Sequence, residues 1–207
     1  MNRRLKNGLT LSVAGAFCAG LIISTYWLTE PRIRENQQAL LEQRLTPALA
    51  GLMYDSGVTE SAVVLEPPHD LPGEDAAVVY RVYAGDEPVA ALFAVTATDG
   101  YAGPIRVLIG IDLDGQVSGV RILEHQETKG FGNAIEHTKS DWDQQFKGRS
   151  LNNPAMHRWA IRIDGGEFDQ LSGASVTPRA VIAAIRDTLI WFEANREQVF
   201  AWPETTR

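Results

Sequence analysis

Cysteine is nearly absent from this chain of 207 residues, because Cys18 is the only one and it lies in an apolar N-terminal stretch. An intramolecular disulfide is therefore impossible, and neither a C-x-x-C-H haem attachment nor a cysteine-ligated iron–sulfur cluster can be built. No two of the four histidines are three or four residues apart, so their spacing indicates no zinc site. Any redox role would require an organic cofactor.

Basic residues are scarce outside the N-terminus. The formal net charge is −7, and residues 1–29 contain Arg3, Arg4 and Lys6 but no acidic residue. Residues 30–207 therefore hold 16 basic against 26 acidic side chains. Binding to nucleic acid depends on clustered Lys and Arg that neutralise phosphates. We expect no nucleic-acid partner.

The longest uncharged stretch runs from Asn7 to Thr29, and residues 9–28 are largely apolar. Twenty helical residues rise about 30 Å, which matches the hydrocarbon core of a bilayer. The preceding basic residues predict a cytoplasmic N-terminus and a periplasmic C-terminal part, as in a single-pass protein of the inner membrane. A cleaved signal peptide is the alternative, although its apolar core is usually shorter, about 7–15 residues, and no A-x-A site follows here.

The pattern divides the chain into a cytoplasmic N-terminus (1–8), a transmembrane helix (9–28), a helical stalk with an irregular connection (29–76) and a folded domain (77–207). Apolar residues at helical spacing predict a helix over about 31–52, which Pro47 would end or kink. Residues 55–76 are rich in proline, glycine and acidic residues, and this composition predicts irregular structure.

Beyond residue 77 the hydrophobic period changes to two. The pattern predicts strands at 78–84, 89–98, 105–111 and 117–123, with hairpin turns at 85–88 and 112–115. It further predicts a short helix at 140–146, a strand at 159–163 and a long amphipathic helix from 178 to about 200. The predicted fold class is α+β: an N-terminal transmembrane helix followed by a mostly antiparallel sheet with packed helices.

One candidate site lies just before the long helix, where Ser172, Gly173, Ser175 and Thr177 precede Pro178. Unpaired backbone N–H groups and the positive end of the helix dipole favour an anion at such a helix start, so a phosphate is a natural ligand. The alternative is an ordinary helix cap, for which serine and threonine are preferred residues.

A second candidate site is the polar stretch 125–132. Gly130 and Gly132 permit close backbone approach, against which a planar ligand could rest. His125 and Glu127 are a possible acid–base pair. The alternative is a polar loop that leaves a strand and carries a structural histidine.

The two candidate sites together carry a family resemblance. Ser172-Gly173-Ala174-Ser175-Val176-Thr177 matches the flavinylation motif S/T-G-A-S/T-x-T at every position. The stretches 101–112, 114–115 and 125–132 match further family patterns, except that Lys129 replaces the usual proline and Phe131 the usual leucine. The chain resembles the FMN-binding domain family, and within it the G subunits of Rnf-type electron transport complexes.

The resemblance implies that 77–207 is an FMN-binding domain in which FMN is attached covalently to Thr177 through a phosphoester. It implies that Ser172, Gly173, Ala174 and Ser175 shape the phosphate turn, and that Glu127, Thr128, Gly130 and Gly132 approach the flavin ring. A separate flavin transferase would attach the group, using FAD and magnesium. It implies no catalytic residue and no metal site in the chain itself.

As the resemblance has it, the chain is an electron-transfer subunit that works with the other subunits of a membrane-bound, ion-translocating oxidoreductase complex. It would be an electron carrier rather than a stand-alone enzyme. Two alternatives remain open. One is a component like the C subunit of the sodium-pumping NADH–quinone reductase, which shares the motif. The other is a membrane-anchored, non-catalytic flavin-binding or sensory domain.

Overall fold

A computed structural model describes residues 42–49, 51–55 and 57–201, together with the single positions 15, 19, 20, 26 and 40. The chain divides into two compact units, Met1–Leu41 and Glu42–Arg207, of which the second contains the sheet and the long helix. The predicted transmembrane segment 9–28 and much of the predicted helix 31–52 lie outside the described residues. Among those that are described, no helix is both long and apolar enough to cross a bilayer.

The centre of the second unit is a five-stranded antiparallel sheet in which each strand pairs with the next along the chain. The strands are β1 (Ala62–Leu65), β2 (Ala77–Ala84), β3 (Glu87–Ala97), β4 (Ile105–Asp112) and β5 (Val117–Glu124). The four strands predicted between residues 78 and 123 and their antiparallel order are confirmed. β1 was not predicted, because it is only four residues long and lies within the segment 55–76 that was read as irregular.

The C-terminal helix (Val176–Ala201) packs against one face of the sheet. Its predicted apolar stripe is confirmed, since Val181, Ile185, Leu189 and Phe192 are all buried. The ring of Phe192 meets that of Phe93 on β3 edge-to-face, with their centroids 5.7 Å apart. The helix starts two residues earlier than predicted, so that Thr177 lies within its first turn.

A short N-terminal segment covers the other face of the sheet. Residues 42–45 are helical, and a 3-10 turn at Thr46–Leu49 follows, so the regular helix ends just before Pro47, as predicted. The carbonyl oxygen of Ala48 accepts a hydrogen bond of 2.6 Å from Ser118 Oγ on β5. A side chain at Gly110 would overlap this oxygen, so the close approach requires glycine there. β3, the central strand of the sheet, is buried on both faces over eight successive residues.

The long connection between β5 and the C-terminal helix contains 3-10 turns at Gly132–Ile135, Trp142–Phe146, Met156–Arg158 and Arg162–Asp164. An aromatic cluster of Trp142, Phe146, Trp159 and Phe168 anchors it, with neighbouring ring centroids 4.7–5.1 Å apart. The predicted short helix at 140–146 is thus present as a 3-10 turn.

The strand predicted at 159–163 is wrong. Trp159 and Ile161 are buried at 2% and 0% exposure, but Ile163 is 71% exposed. Ile161 forms an isolated bridge to Phe168, and the chain then turns at Arg162–Asp164. The alternating pattern here reflects two apolar anchors of a loop rather than one face of a strand.

We expect Leu49→Ala to lower the free energy of unfolding by about 2–5 kcal/mol, because Leu49 is 1% exposed beneath the covered face of the sheet. Met53→Ala is the matched control, since Met53 is 89% exposed and should change stability by less than about 0.5 kcal/mol. Urea unfolding of the purified full-length variants measures both. Equal losses in the two variants would contradict the assigned packing of the turn.

Candidate functional site

Thr177 lies at the buried start of the C-terminal helix. Its side chain is 0% exposed, and its Oγ1 donates a hydrogen bond of 2.6 Å to Glu127 Oε2, fifty residues away in the sequence. The helix positions Thr177 because its apolar stripe fixes the first turn against the sheet. The two stretches singled out in the sequence therefore meet through one buried hydroxyl–carboxylate contact.

Glu127 lies on the loop that follows β5 and is 6% exposed. Its second oxygen, Oε1, accepts a hydrogen bond of 3.1 Å from the backbone N–H of Ala102, on the loop before β4. The carboxylate thus receives one donor from each of two separate segments. A buried charged group is costly unless it is hydrogen-bonded, so these two donors hold the segments around it.

The proposed acid–base pair of His125 and Glu127 is not formed. His125 Nδ1 accepts a hydrogen bond from the backbone N–H of Glu127, whereas Nε2 lies 3.1 Å from Glu136 Oε1. The imidazole therefore supports the loop and pairs with Glu136, while the Glu127 side chain points to Thr177.

Two glycines allow the loops to come together. A Cβ at Gly132 would lie 2.5 Å from Glu127 Oε2 and 3.0 Å from Thr177 Oγ1, so a side chain there would displace the pair. Gly173 has φ +75°, and a Cβ added there would lie 3.1 Å from the ring of Phe131. The turn that contains Gly173 is closed by the N–H of Ala174, which donates to Leu171 O at 3.1 Å.

Lys129, which replaces the proline usual in the family pattern, lies in a tight turn. The N–H of Phe131 donates to Thr128 O at 3.2 Å, and Gly130 has φ +83°. A positive φ at the third position of such a turn is typical of type II, which favours proline at the second position and glycine at the third. Lys129 occupies the second position, where a wide range of residues is tolerated.

A cavity of about 320 Å³ opens beside the Thr177–Glu127 pair. Its wall consists of Tyr101, Glu127, Thr128, Phe131, Gly132, Gly173, Ala174, Ser175, Val176 and Thr177. Seven of the nine predicted site residues are among them. Ser172 is instead exposed in the turn, and Gly130 borders a neighbouring groove.

Two aromatic side chains of the cavity were missed as site residues in the sequence. Tyr101 is 72% exposed and Phe131 is 54% exposed, although both belong to loops that border a buried pair. Exposed aromatics beside a cavity offer flat surfaces on which a planar ligand can stack. A sequence pattern does not distinguish such a residue from a core aromatic, so their position became apparent only in the fold.

The cation nearest the start of the C-terminal helix in sequence is Arg179, and it is already engaged. Its guanidinium holds Asp164 through hydrogen bonds of 2.6 and 2.9 Å and donates to Ser175 Oγ at 3.1 Å. The hydrogen bond from Arg179 lowers the pKa of the Asp164 carboxyl below its ordinary value. The first turn of the C-terminal helix contains no acidic residue. The helix itself therefore provides no negative charge to balance the positive end of its dipole, which faces the cavity.

Within the described part of the chain, no group of three or more His, Cys, Asp or Glu side chains is arranged to hold a metal ion. The chemistry offered by the cavity wall is therefore that of one buried hydroxyl, one carboxylate, the backbone N–H groups of a helix start and two exposed aromatic rings.

Comparison with known proteins yields two matching families. The FMN-binding domain family matches residues 100–190, and the RnfG N-terminal region matches residues 1–46. The G subunit of the ion-translocating oxidoreductase complex of Pseudoalteromonas atlantica is 37% identical over 196 residues, which cover 95% of this chain and 91% of that protein. Its counterpart in Vibrio parahaemolyticus is 36% identical over 198 residues, which cover 96% and 93%.

Among solved structures, the crystal structure of NqrC from Shewanella oneidensis aligns with a TM-score of 0.49 and 21% sequence identity, over 72% of this chain and 76% of that one.

We expect Thr177→Val to lower the free energy of unfolding of the unmodified protein by about 1–3 kcal/mol, because the buried Glu127 carboxylate loses a donor. Thr188→Val is the matched control on the same helix. Thr188 is equally buried, but its hydroxyl donates to the Ala184 carbonyl, which a helical N–H also serves. Urea unfolding should give a smaller loss at Thr188, and a larger loss there would argue against the buried pair.

Proposed function

The chain belongs to the RnfG family, the G subunits of ion-translocating oxidoreductase complexes, and from this we propose that it is the electron-carrying flavoprotein of such a complex, with FMN linked to Thr177 through a phosphoester. An FMN-binding domain covers residues 100–190, within which both candidate sites fall. Because G-subunit relatives align over nearly the full chain, this family is favoured over the alternative of a component like the C subunit of the sodium-pumping reductase.

The observation that carries the proposal is the position of Thr177. Thr177 borders the cavity with its side chain fully buried, at the last position of the motif that starts at Ser172 and in the first turn of a long helix. A phosphate esterified there would lie at the helix N-terminus, where unpaired N–H groups and the dipole favour an anion. A threonine with a purely structural role would not need to border a cavity.

The cavity also fits a planar ligand. Its volume of about 320 Å³ falls within the range of roughly 300–1,000 Å³ that is usual for cofactor pockets. Tyr101 and Phe131 contribute exposed aromatic surfaces to its wall. The uncharged side chains of the turn at 172–175 leave room for a negatively charged group beside the helix start.

Each part of the wall has its own task in this proposal. Thr177 holds the phosphate end, and the turn containing Ser172, Gly173, Ala174 and Ser175 shapes the space around it. Glu127, Thr128, Gly130 and Gly132 form the opposite loop, which approaches the ring and limits the access of water. Bound FMN supplies a ring that accepts and releases electrons, and neighbouring subunits of the complex act as donor and acceptor.

Residues 9–28 form the membrane anchor in this proposal. The support is the apolar sequence preceded by Arg3, Arg4 and Lys6, which favours a cytoplasmic N-terminus and a flavin domain on the periplasmic side of the inner membrane. A covalent link suits such a location, because a cofactor lost outside the cytoplasm is not readily replaced. A flavin transferase is the partner required for maturation.

Covalent flavin is the direct test. The full-length protein produced together with a flavin transferase should give a band that fluoresces under ultraviolet light after denaturing electrophoresis, and Thr177→Ala should abolish it. Thr188→Ala, which alters a second fully buried threonine on the same helix, should retain it. A wild-type band without flavin fluorescence, while a control substrate of the same transferase fluoresces, would refute the proposal and favour the non-catalytic, sensory alternative.

The anchor is tested separately. Alkaline phosphatase fused after Ala201 should be active, since it folds only outside the cytoplasm, and the fusion should remain in the membrane fraction after alkaline extraction. Exchanging Arg3, Arg4 and Lys6 for glutamate should reduce phosphatase activity, because the charge bias that sets the orientation is removed. Release of the unaltered fusion into the soluble fraction would instead indicate a cleaved signal peptide.

A further inference from the structure

We propose that Glu127 is the general base for the modification of Thr177, accepting the hydroxyl proton as the phosphoester forms, so that the chain supplies one catalytic group for its own flavinylation. The inference rests on the proposed function and adds a residue role to it. The donor substrate is FAD, a dinucleotide with a pyrophosphate bridge, and the enzyme that presents it is the transferase.

The geometry meets the requirement for a base. A general base must lie within about 2.6–3.2 Å of the atom whose proton it takes. Glu127 Oε2 lies 2.6 Å from Thr177 Oγ1, and the hydroxyl donates to it. A threonine hydroxyl is a weak nucleophile unless an adjacent group removes its proton. The N–H of Ala102 holds the other carboxylate oxygen, which fixes the orientation of the base.

A purely structural role would be served at lower cost by a neutral acceptor. Thr188, on the same helix and equally buried, uses the backbone carbonyl of Ala184 as its acceptor. At Thr177 the acceptor is a carboxylate at 6% exposure whose two hydrogen-bond donors are both neutral. Burial of a charge with neutral partners is expensive, so a carboxylate at this position calls for a role beyond that of a hydrogen-bond acceptor.

The step balances without any change in oxidation state. Thr177 Oγ1 attacks the phosphorus on the FMN side of the pyrophosphate and forms a new P–O bond. The bond from that phosphorus to the bridging oxygen breaks, and AMP leaves. The proton moves from Oγ1 to Glu127 Oε2. The neutral carboxyl can then donate to an oxygen of the phosphodiester, so that two adjacent negative charges are avoided.

Several other titratable groups surround Glu127. Tyr101 shares the cavity from the loop before β4, and His125 accepts the hydrogen bond of the Glu127 backbone N–H. Lys129 is exposed on the same loop, and Arg179 at the helix start is paired with Asp164. The carboxylate itself receives its hydrogen bonds from Ala102 and Thr177, which makes it the titratable group in contact with the reacting oxygen.

The test compares Glu127→Gln with wild type in the full-length protein, using purified transferase, FAD and magnesium. Covalent flavin fluorescence and the mass of the product are followed with time. We expect the turnover rate of Glu127→Gln to fall by about 10²–10⁴-fold, which is the usual contribution of a general base, with little change in KM for the protein. Glu136→Gln is the matched control, and it should label within about twofold of wild type, because Glu136 pairs with His125 rather than with Thr177.

The pH profile separates a chemical role from a structural one. In wild type the labelling rate should rise less steeply with pH than in Glu127→Gln, because Glu127 removes the proton without hydroxide. In Glu127→Gln the rate should rise continuously with pH, because hydroxide then removes the proton. Labelling of Glu127→Gln at the wild-type rate, with the wild-type profile, would overturn the proposal.

Two further results distinguish a misfolded variant, and a failure of the proposed function, from a failure of the general-base role. If Glu127→Gln shows no cooperative unfolding and is therefore not properly folded, Glu127→Ala with added formate is the second test. Labelling restored by formate supports Glu127 as the base. No restoration in a folded Glu127→Ala variant overturns the proposal. Absence of label on wild-type Thr177, with the transferase active on a control substrate, would instead refute the proposed function, whatever the variants do.

Discussion

The buried carboxylate of Glu127 is the constraint on which the closure of the site depends. It is 6% exposed and receives donors from Ala102 on one loop and from Thr177 on the C-terminal helix. Separation of these segments would leave a desolvated charge without partners or open it to water. The three segments are therefore held together by the requirement to satisfy one group, and Gly132 leaves the space in which they meet.

The two sides of the cavity are built from different kinds of structure. Thr177 is held on a helix whose stripe packs into the sheet, and the sheet is itself covered on its other face by the turn at Thr46–Leu49. The opposite side is a loop that contains the tight turn between Thr128 and Phe131, and the backbone N–H of Gly130 donates a hydrogen bond of 2.8 Å to Asn133 Oδ1. In the proposed function, the helix provides the attachment point and the loop provides the wall that approaches the ring; sites built on helices are positioned more precisely than sites on loops.

The sequence predicted those elements whose pattern is strong and local. β2 to β5 alternate or run apolar between clear turns, and the stripe from Val181 to Phe192 repeats at helical spacing. β1 was missed because four residues between acidic and proline-rich segments carry little signal. At 159–163, the alternation of apolar and polar residues predicted a strand. The alternation arises instead because Trp159 and Ile161 of a loop pack into the core.

The residues of the candidate site also divide into those that the sequence predicted and those that became apparent only in the fold. Thr177 followed from a specific motif, and Glu127 and Gly132 from a weaker one. The hydrogen bond that joins Thr177 to Glu127, across fifty residues, depends on how the helix lies against the sheet, and no local pattern encodes it. Tyr101 and Phe131 illustrate the same limit, since exposure beside a cavity is a property of the assembled loops.

The charge balance of the modified site follows from the same contacts. A phosphodiester on Thr177 would bring a negative charge beside the Glu127 carboxylate, and two adjacent charges of like sign are unfavourable in a buried site. Arg179, the cation nearest the helix start in sequence, is already bound to Asp164 by two hydrogen bonds. In the proposed modification, retention of the Thr177 proton on Glu127 would convert the acceptor into a donor. One negative charge would then remain beside Thr177, and the positive end of the helix dipole would face it.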